Sequence, residues 1–104
     1  MSKRVLPPVH PGDVLLEDVM KPWEMTVGDL AEALNVDPRL IAQVISGKAR
    51  VTANLALRLA RYLKMTPGFW LRLQADYDLE IAEERRAEEI ERTVKVREDM
   101  GATA

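Results

Sequence analysis

Helix-start signals recur along this chain at intervals that leave room only for a set of short helices. A capping residue followed by proline opens a segment at Asp37 and again at Thr66, and Pro11 marks an earlier start. Thr26 and Thr52 are further capping residues. Apolar residues at spacings of three and four follow each start, and no useful length alternates with a period of two. The sequence therefore predicts an all-α fold with five helices.

The residues that close these segments agree with the same division. Pro22, Asn35 and Gly47 follow the first three apolar stripes, and asparagine and glycine tolerate the left-handed backbone that ends many helices. Asp29 stands three residues after Thr26, which is the spacing of a capping box. We therefore expect short helices joined by tight turns.

Length and composition limit the class of protein. With 104 residues, 47% of them hydrophobic, the chain has room for one domain. It has no apolar run of about 18 residues that could cross a membrane. The absence of cysteine excludes disulfides and thiolate zinc sites, and the first four residues, MSKR, lack the apolar segment of a secretory signal. We therefore expect a cytoplasmic protein with no membrane partner.

The charge of the chain is unevenly distributed, although the formal net charge is only -2. Residues 35–61 contain five basic side chains and one acidic side chain, whereas residues 78–99 contain nine acids and five bases. Phosphate binding depends on the cluster that faces the ligand rather than on the total. The middle of the chain can therefore bind nucleic acid despite the negative total charge.

Residues 26–47 have the spacing of a helix-turn-helix motif, with two short helices joined by the segment LNVD at residues 34–37. Ala31 is small where the helices would cross, Asn35 tolerates a left-handed turn, and the apolar Val36 can fill the angle between the helices. The second helix would enter the major groove, which is about 12 Å wide. A helical bundle with a solvated basic face is the alternative, but the turn residues and the local charge both favour DNA binding.

The outward side of that second helix and the following loop supply the candidate DNA contacts. Arg39 can form paired hydrogen bonds with guanine, and Gln43 can do so with adenine. Lys48, Arg50 and the backbone amide of Thr52 suit phosphate. The full set of candidate contacts is Asp37, Pro38, Arg39, Ala42, Gln43, Ser46, Lys48, Arg50 and Thr52. Asp37 is interpreted as the cap of the second helix and not as a phosphate contact, because a carboxylate repels phosphate.

From Asp78 onward the sequence is rich in glutamate and arginine, and its apolar stripe becomes thinner. The stripe consists of Leu79, Ala82 or Ala87, Ile90 and Val94. Such a helix is either solvated and held by pairs at spacings of three and four, or paired with another chain. We predict an N-terminal arm at residues 1–9, a helix-turn-helix domain at 10–78, and an acidic helical extension at 79–104 that is frayed from residue 101.

Several short motifs together resemble one family. They are HPGD at residues 10–13, LAEALNV at 30–36, SGK at 46–48, LRLA at 57–60, FWLRLQ at 69–74 and YDL at 77–79. In this combination the chain is similar, over residues 9–80, to the HigA-type antitoxins, which are XRE-type, VapI-like proteins with the lambda-repressor-like fold. The HPG start together with the FWLxLQ element is more specific than a helix-turn-helix alone. The chain departs from the family at Asn35 and Asp37, where glycine and serine are frequent.

The resemblance implies the antitoxin of a bacterial type II toxin–antitoxin system. Such a protein would bind operator DNA in its own promoter as a homodimer, repress its operon, and neutralise a HigB-type toxin that cleaves messenger RNA. Two alternatives stay open: a solitary helix-turn-helix transcriptional regulator, and a protein-interaction module with vestigial DNA binding. A short, basic, ribonuclease-like reading frame beside the gene would favour the antitoxin.

The fifth helix is the candidate for pairing two chains. Its aromatic and apolar residues are interpreted as part of the core and as contacts between the two chains of a dimer. The residues concerned are Phe69, Trp70, Leu73 and Tyr77. The apolar stripe of the extension either takes part in this pairing or does not. A two-fold dimer would place its recognition helices about 34 Å apart, so the operator is expected to be an inverted repeat with half-sites one helical turn, or a multiple of it, apart.

Acidic side chains are the candidates for contact with a toxin, because a ribonuclease needs a positive surface for RNA. The favoured group, in the first-helix region, is Asp13, Glu17, Asp18 and Glu24. The second group, in the extension, is Glu80, Glu83, Glu84, Glu88, Glu89 and Glu91. In the alternative interpretation both groups are solvated faces that keep the protein soluble.

No catalytic, metal or cofactor site is predicted. His10 is the only histidine, and without cysteine or a second imidazole its expected role is structural, near the first helix start. Neighbouring carboxylates such as Asp76 and Asp78 lie in polar sequence that gives no reason for a shifted pKa. The five glycines are scattered and form no phosphate-binding loop. The chain is therefore not expected to be an enzyme.

Overall fold

The computed structural model of the protein describes residues 7–98, and these form five helices and no strand. Helix α1 begins as α-helix at Pro11–Val14 and continues as π-helix at Leu15–Met20. The shorter helices α2 and α3 span Val27–Leu34 and Pro38–Ile45. Helix α4 spans Ala53–Leu63, and α5 spans Pro67–Thr93. The all-α prediction is confirmed.

The capping residues place the helix starts where the sequence predicts them. Thr26 and Asp29 form a reciprocal capping box, each side chain accepting the other's backbone N–H over 3.0 Å. Asp37 caps α3 through the N–H of Arg39, and Thr52 caps α4. Thr66 precedes α5 but makes no capping hydrogen bond with its side chain, so Pro67 marks that start by its fixed φ alone.

The second half of α1 differs from the expected regular helix. The N–H of Lys21 donates to the carbonyl of Leu16, five residues back, which is the bonding pattern of a π-helix. In the sequence, apolar residues of this segment are four apart, but its two buried residues, Leu15 and Met20, are five apart. The wider turn brings both side chains to the core.

All five helices contribute to one hydrophobic core. Its large members have at most 1% of their surface exposed, and burying each side chain of this size stabilises the fold by about 1.5–3 kcal/mol. They include Leu15, Leu30, Ile41, Leu55, Leu59 and Trp70. Helix α3 is therefore fixed by its inner face, which leaves its outer face for a ligand.

Helix α1 crosses α3 with almost no space between the two backbones. Gly12 is buried, and an added Cβ would lie 2.7 Å from the carbonyl carbon of Val44 and 2.9 Å from Cα of Ile45. Only a residue without a side chain fits there. The HPG start thus positions α3 through a direct backbone contact.

Helix α5 extends well beyond the hydrophobic core. Its 27 residues include two buried side chains, Trp70 and Gln74, both in its first third. The proposed boundary between residues 78 and 79 falls inside this continuous helix, and the acidic extension is helical to Thr93. Most of the N-terminal arm and the frayed end from residue 101 lie outside the described residues. Among residues 7–98, no helix combines the length and apolarity needed to cross a membrane.

Candidate DNA-binding surface

The turn between α2 and α3 has the geometry that the sequence predicts. Asn35 adopts the left-handed conformation with φ of 57°, and the N–H of Val36 donates to the carbonyl of Ala31 over 3.0 Å. Ala31 is 1% exposed, which leaves no space for a larger side chain at the crossing. The two helices therefore form a helix-turn-helix.

A side chain from α4 fixes this turn. The Arg58 guanidinium donates to the carbonyl oxygens of Leu34 over 2.9 Å and Asn35 over 3.2 Å, and its Nε donates to Asn54. These carbonyls end α2, where no further helical N–H is available to them. Arg58 belongs to the basic segment of the sequence, but its role is to hold the turn. The charge count of residues 35–61 and the LRLA motif both included Arg58, but neither pointed to this role.

The exposed face of α3 carries the candidate DNA contacts of this helix. Pro38, Arg39, Ala42, Gln43 and Ser46 are all exposed. The opposite face of α3 packs in the core through the fully buried side chains of Ile41 and Val44. This arrangement presents one polar stripe to solvent, as a helix entering a major groove requires.

Asp37 and Arg39 form a pair at the start of α3. The Arg39 guanidinium donates to Oδ2 of Asp37 over 3.0 Å, while the other carboxylate oxygen accepts the Arg39 backbone N–H over 2.8 Å. The hydrogen bonds from Arg39 lower the pKa of Asp37 below its usual value. The Arg39 cation therefore neutralises the negative charge at this helix start, although both side chains stay exposed.

The loop after α3 carries the candidate phosphate contacts. Gly47, with φ of 80°, reverses the chain, and the backbone N–H of Lys48 donates to the carbonyl of Gln43 over 2.8 Å. Lys48, Arg50 and Thr52 are exposed. The Thr52 side chain caps α4, so what it can offer to a phosphate is its backbone amide.

Contacts from α5 hold this loop, and no sequence signal pointed to them. Arg50 forms an ion pair with Asp78 over 2.8 Å, and the buried Gln74 accepts the N–H of Val51 over 2.7 Å. Partial burial acts to raise the pKa of Asp78, but hydrogen bonds from Arg50 and Gln74 outweigh it and lower that pKa. Asp78 is therefore an anion at neutral pH.

The residues predicted to join two chains do not share one exposed surface. Trp70 is 1% exposed and lies in the core, as predicted, so its side chain is not accessible in the single chain and a dimer contact there stays a prediction. Leu73 packs on the core, and the Tyr77 ring lies edge-on to His10 at 4.8 Å. Phe69 is 36% exposed. The core part of the interpretation is confirmed for Trp70 and Leu73, and the pairing of two chains through this helix stays a prediction.

A different stripe of α5 is open to solvent. Its members line one shallow, apolar depression along the helix, and several are about half exposed. They are Leu79, Ala82, Ala87 and Ile90. These residues belong to the stripe that the sequence identified in the extension, whose last member, Val94, is exposed at the end of α5 outside the depression. Within the described part of the chain nothing covers the depression.

The acidic residues of the first-helix region are accessible. Asp13, Glu17, Asp18 and Glu24 are all exposed, and Glu17 pairs with Lys21 over 2.8 Å. Trp23 lies in the turn after α1 with 73% of its surface exposed, beside Glu24 in the left-handed conformation. The sequence analysis did not single out this tryptophan. Of the six acids in the extension, five are exposed and Glu80 is half-buried.

His10 has the structural role expected of it. Its Nδ1 accepts the N–H of Gly12 over 2.8 Å and so caps α1. Histidine is an unusual cap, which is why the sequence assigned it only to the neighbourhood of the helix start. Across residues 7–98, no group of three or more histidine, cysteine or acidic residues is arranged to hold a metal ion.

Comparisons with known proteins agree with this geometry. The helix-turn-helix family matches residues 24–70. Virulence-associated protein I of Dichelobacter nodosus is 39% identical, over 80% of this chain and 77% of its own. Antitoxin HigA-1 of Vibrio cholerae is 36% identical, over 86% of this chain and 84% of its own. The solved structure of antitoxin GraA in complex with its operator is similar with a TM-score of 0.85 and 35% identity, covering 93% of this chain and 98% of GraA.

Proposed function

Because the chain belongs to the HigA family of helix-turn-helix antitoxins, we propose that it binds operator DNA, represses its own operon and neutralises a HigB-type toxin. The observation that carries this proposal is the exposed polar face of α3, held by a buried opposite face and flanked by the loop with Lys48 and Arg50. A relative of similar fold and 35% identity has been solved with its operator. The same family membership favours a regulator over an enzyme.

We assign base contacts to Arg39 and Gln43, and phosphate contacts to Lys48, Arg50 and the Thr52 amide. The exposed guanidinium of Arg39 is already oriented by Asp37, so a fork of N–H donors is available for guanine. Pro38, Ala42 and Ser46 flank these side chains and can contact the bases or the backbone. Asp37 acts through Arg39 and does not itself approach a phosphate.

The two groups of contacts should respond differently to substitution. Arg39→Ala is expected to cost about 1–3 kcal/mol on the operator and to relax specificity at one position, because a bidentate base contact is lost. Lys48→Ala should weaken binding to all sequences alike and reduce the salt slope by about one unit. Both variants are titrated against operator and scrambled duplexes at several salt concentrations.

Arg61→Ala is the matched control, because Arg61 is exposed on α4 in a groove formed with Ala33 and Tyr62, away from α3 and its loop. It should leave both affinities close to those of the wild type. Equal losses on operator and scrambled DNA for Arg39→Ala would contradict its assignment to base readout.

We propose that two chains pair through the exposed stripe of α5, with Phe69 at its margin. Light scattering at micromolar concentration should then give about twice the chain mass of 11.8 kDa. Leu79→Glu should shift the protein to a monomer and weaken operator binding, because one recognition helix reads too few base pairs. Glu88→Gln, at an exposed position of α5 outside this depression, is the control and should leave the dimer intact. A wild-type protein that stays monomeric with and without DNA would exclude this pairing.

For the toxin, we propose the acidic surface of the first-helix region as the contact. We place the toxin here because an antitoxin must bind its toxin while α3 and its loop stay free for DNA. Steering of a basic ribonuclease onto these carboxylates would raise its association rate. Co-expression with the neighbouring reading frame tests the antitoxin role: rescue of growth supports it, whereas the absence of a toxic neighbour favours a solitary regulator.

A further inference from the structure

The loop between α3 and α4 is tied to α5 by one buried side chain. Gln74 is 3% exposed, and its Oε1 accepts the N–H of Val51 over 2.7 Å. A buried N–H without a partner is costly, so this bond fixes the position of the loop relative to α5. Apart from His10, Gln74 is the only polar residue that is buried among residues 7–98.

The other end of Gln74 extends the restraint to Arg50. Its Nε2 donates to Oδ1 of Asp78 over 3.0 Å, and Oδ2 of Asp78 accepts from the Arg50 guanidinium over 2.8 Å. Gln74 and Asp78 are four residues apart and therefore neighbours on one face of α5. Two successive turns of α5 thus hold residues 50 and 51. The three hydrogen bonds and the peptide bond between these two residues form a closed ring.

This ring affects how Arg50 can meet DNA. A guanidinium has five N–H donors, and the pair with Asp78 leaves some of them for a phosphate. An arginine on a flexible loop would bind phosphates in many alignments of the duplex. An arginine whose guanidinium is paired with a carboxylate can bind a phosphate only in the few alignments of the duplex that bring the phosphate to its free N–H groups. In other alignments the phosphate approaches the carboxylate and is repelled by it.

We propose that Gln74 and Asp78 are positioning residues for DNA recognition, which hold Arg50 so that its phosphate contact forms only when the duplex is correctly docked. The pair therefore contributes to discrimination between operator and other DNA without touching a base. This inference rests on the proposed DNA-binding function and assigns a role to two residues of α5 that lie outside the helix-turn-helix.

The test uses Asp78→Asn in the full chain. Asparagine keeps an oxygen for Gln74 but has no charge with which to hold Arg50. The probes are a duplex that the wild-type protein enriches from a random pool and a scrambled duplex of equal length. We expect the ratio of the two dissociation constants to fall by about tenfold, because scrambled DNA binds more tightly without the carboxylate while the enriched duplex loses an aligned contact.

Asp76→Asn is the matched control. It makes the same charge change on the same helix, at an exposed carboxylate that has no hydrogen bond or ion pair within the described range. The ratio should stay at the wild-type value. In an Arg50→Ala background, Asp78→Asn should have no more effect than Asp76→Asn, because the group that it positions is gone.

Arg50→Lys gives an independent measurement that does not alter α5. Lysine keeps the charge but lacks the planar fork, so the ratio should fall as it does for Asp78→Asn. The proposal is overturned if Asp78→Asn and Asp76→Asn give the same ratio, or if the effect of Asp78→Asn persists without Arg50. If the wild-type protein enriches no duplex, the proposed function fails and this inference fails with it.

Discussion

Replacing Gly12 with alanine is expected to destabilise the protein by at least about 3 kcal/mol, a large part of the stability of a small domain. The added Cβ would overlap the carbonyl group of Val44 and approach Cα of Ile45 to 2.9 Å. These neighbours are backbone atoms of α3, so no side chain can rotate away to make room. Thermal unfolding followed by circular dichroism should show a melting temperature lower by about 10–20 °C.

Gly28→Ala is the control for this substitution. Gly28 is exposed in the first turn of α2, and the nearest atom to an added Cβ is the Thr26 hydroxyl oxygen at 3.8 Å. Alanine is the better helix former, so stability should be unchanged or higher by up to about 1 kcal/mol. A melting temperature for Gly12→Ala within a few degrees of the wild type would show that α1 and α3 do not cross as closely as described.

The local features of the fold were predictable from the sequence because each depends on a few neighbouring residues. The capping box of Thr26 and Asp29, the cap at Asp37 and the left-handed turn at Asn35 involve residues no more than three apart. The winding of α1 was not predictable, since π-helical and α-helical turns place apolar residues at spacings that differ by one. Burial of both Leu15 and Met20 becomes visible only when the core is assembled.

The candidate site shows the same division between local and distant contacts. The exposed positions of α3 follow from helical periodicity, and the sequence identified Arg39 and Gln43 on that basis. Arg58 and Gln74 were missed because their partners lie 23 or 24 residues away along the chain. Their residue types also gave no sign of these contacts. An arginine in a basic segment suggests a DNA contact, and a glutamine in a motif of apolar and basic residues indicates no particular role.

Which apolar residues of α5 pack on the core and which face solvent could not be separated from the sequence. Helix α5 has two apolar stripes, one that packs on the core and one that is exposed beyond residue 78. From sequence alone the aromatic residues belong equally well to either, and large aromatic side chains are frequent at interfaces. The structure separates the stripes, and it leaves the smaller aliphatic side chains as the surface available for pairing.

Reversing Glu17 and Asp18 to lysine is expected to slow toxin association by about a hundredfold at low ionic strength, because a basic ribonuclease would meet repulsion where carboxylates now attract it. Both carboxylates are exposed, and among residues 7–98 the one ion pair lost is the surface pair of Glu17 with Lys21. Such pairs contribute less than about 1 kcal/mol, so the variant should fold. The rate difference should shrink as salt is raised, since screening acts on steering charges.

The exposed Trp23 beside this surface gives a second, separable measurement. Tryptophan is enriched among residues that dominate binding energy, and the turn presents 73% of this side chain to solvent. Trp23→Ala should speed dissociation of the toxin with little change in the association rate, because it removes a contact and no charge. The matched control for the charge reversal is Glu88→Lys with Glu89→Lys on the exposed end of α5, where Glu89 pairs with Arg86 as Glu17 pairs with Lys21. This control should leave both rates near the wild-type values. If that control slows association while the first-helix variant does not, the extension is the toxin-binding surface and the assignment to α1 is wrong.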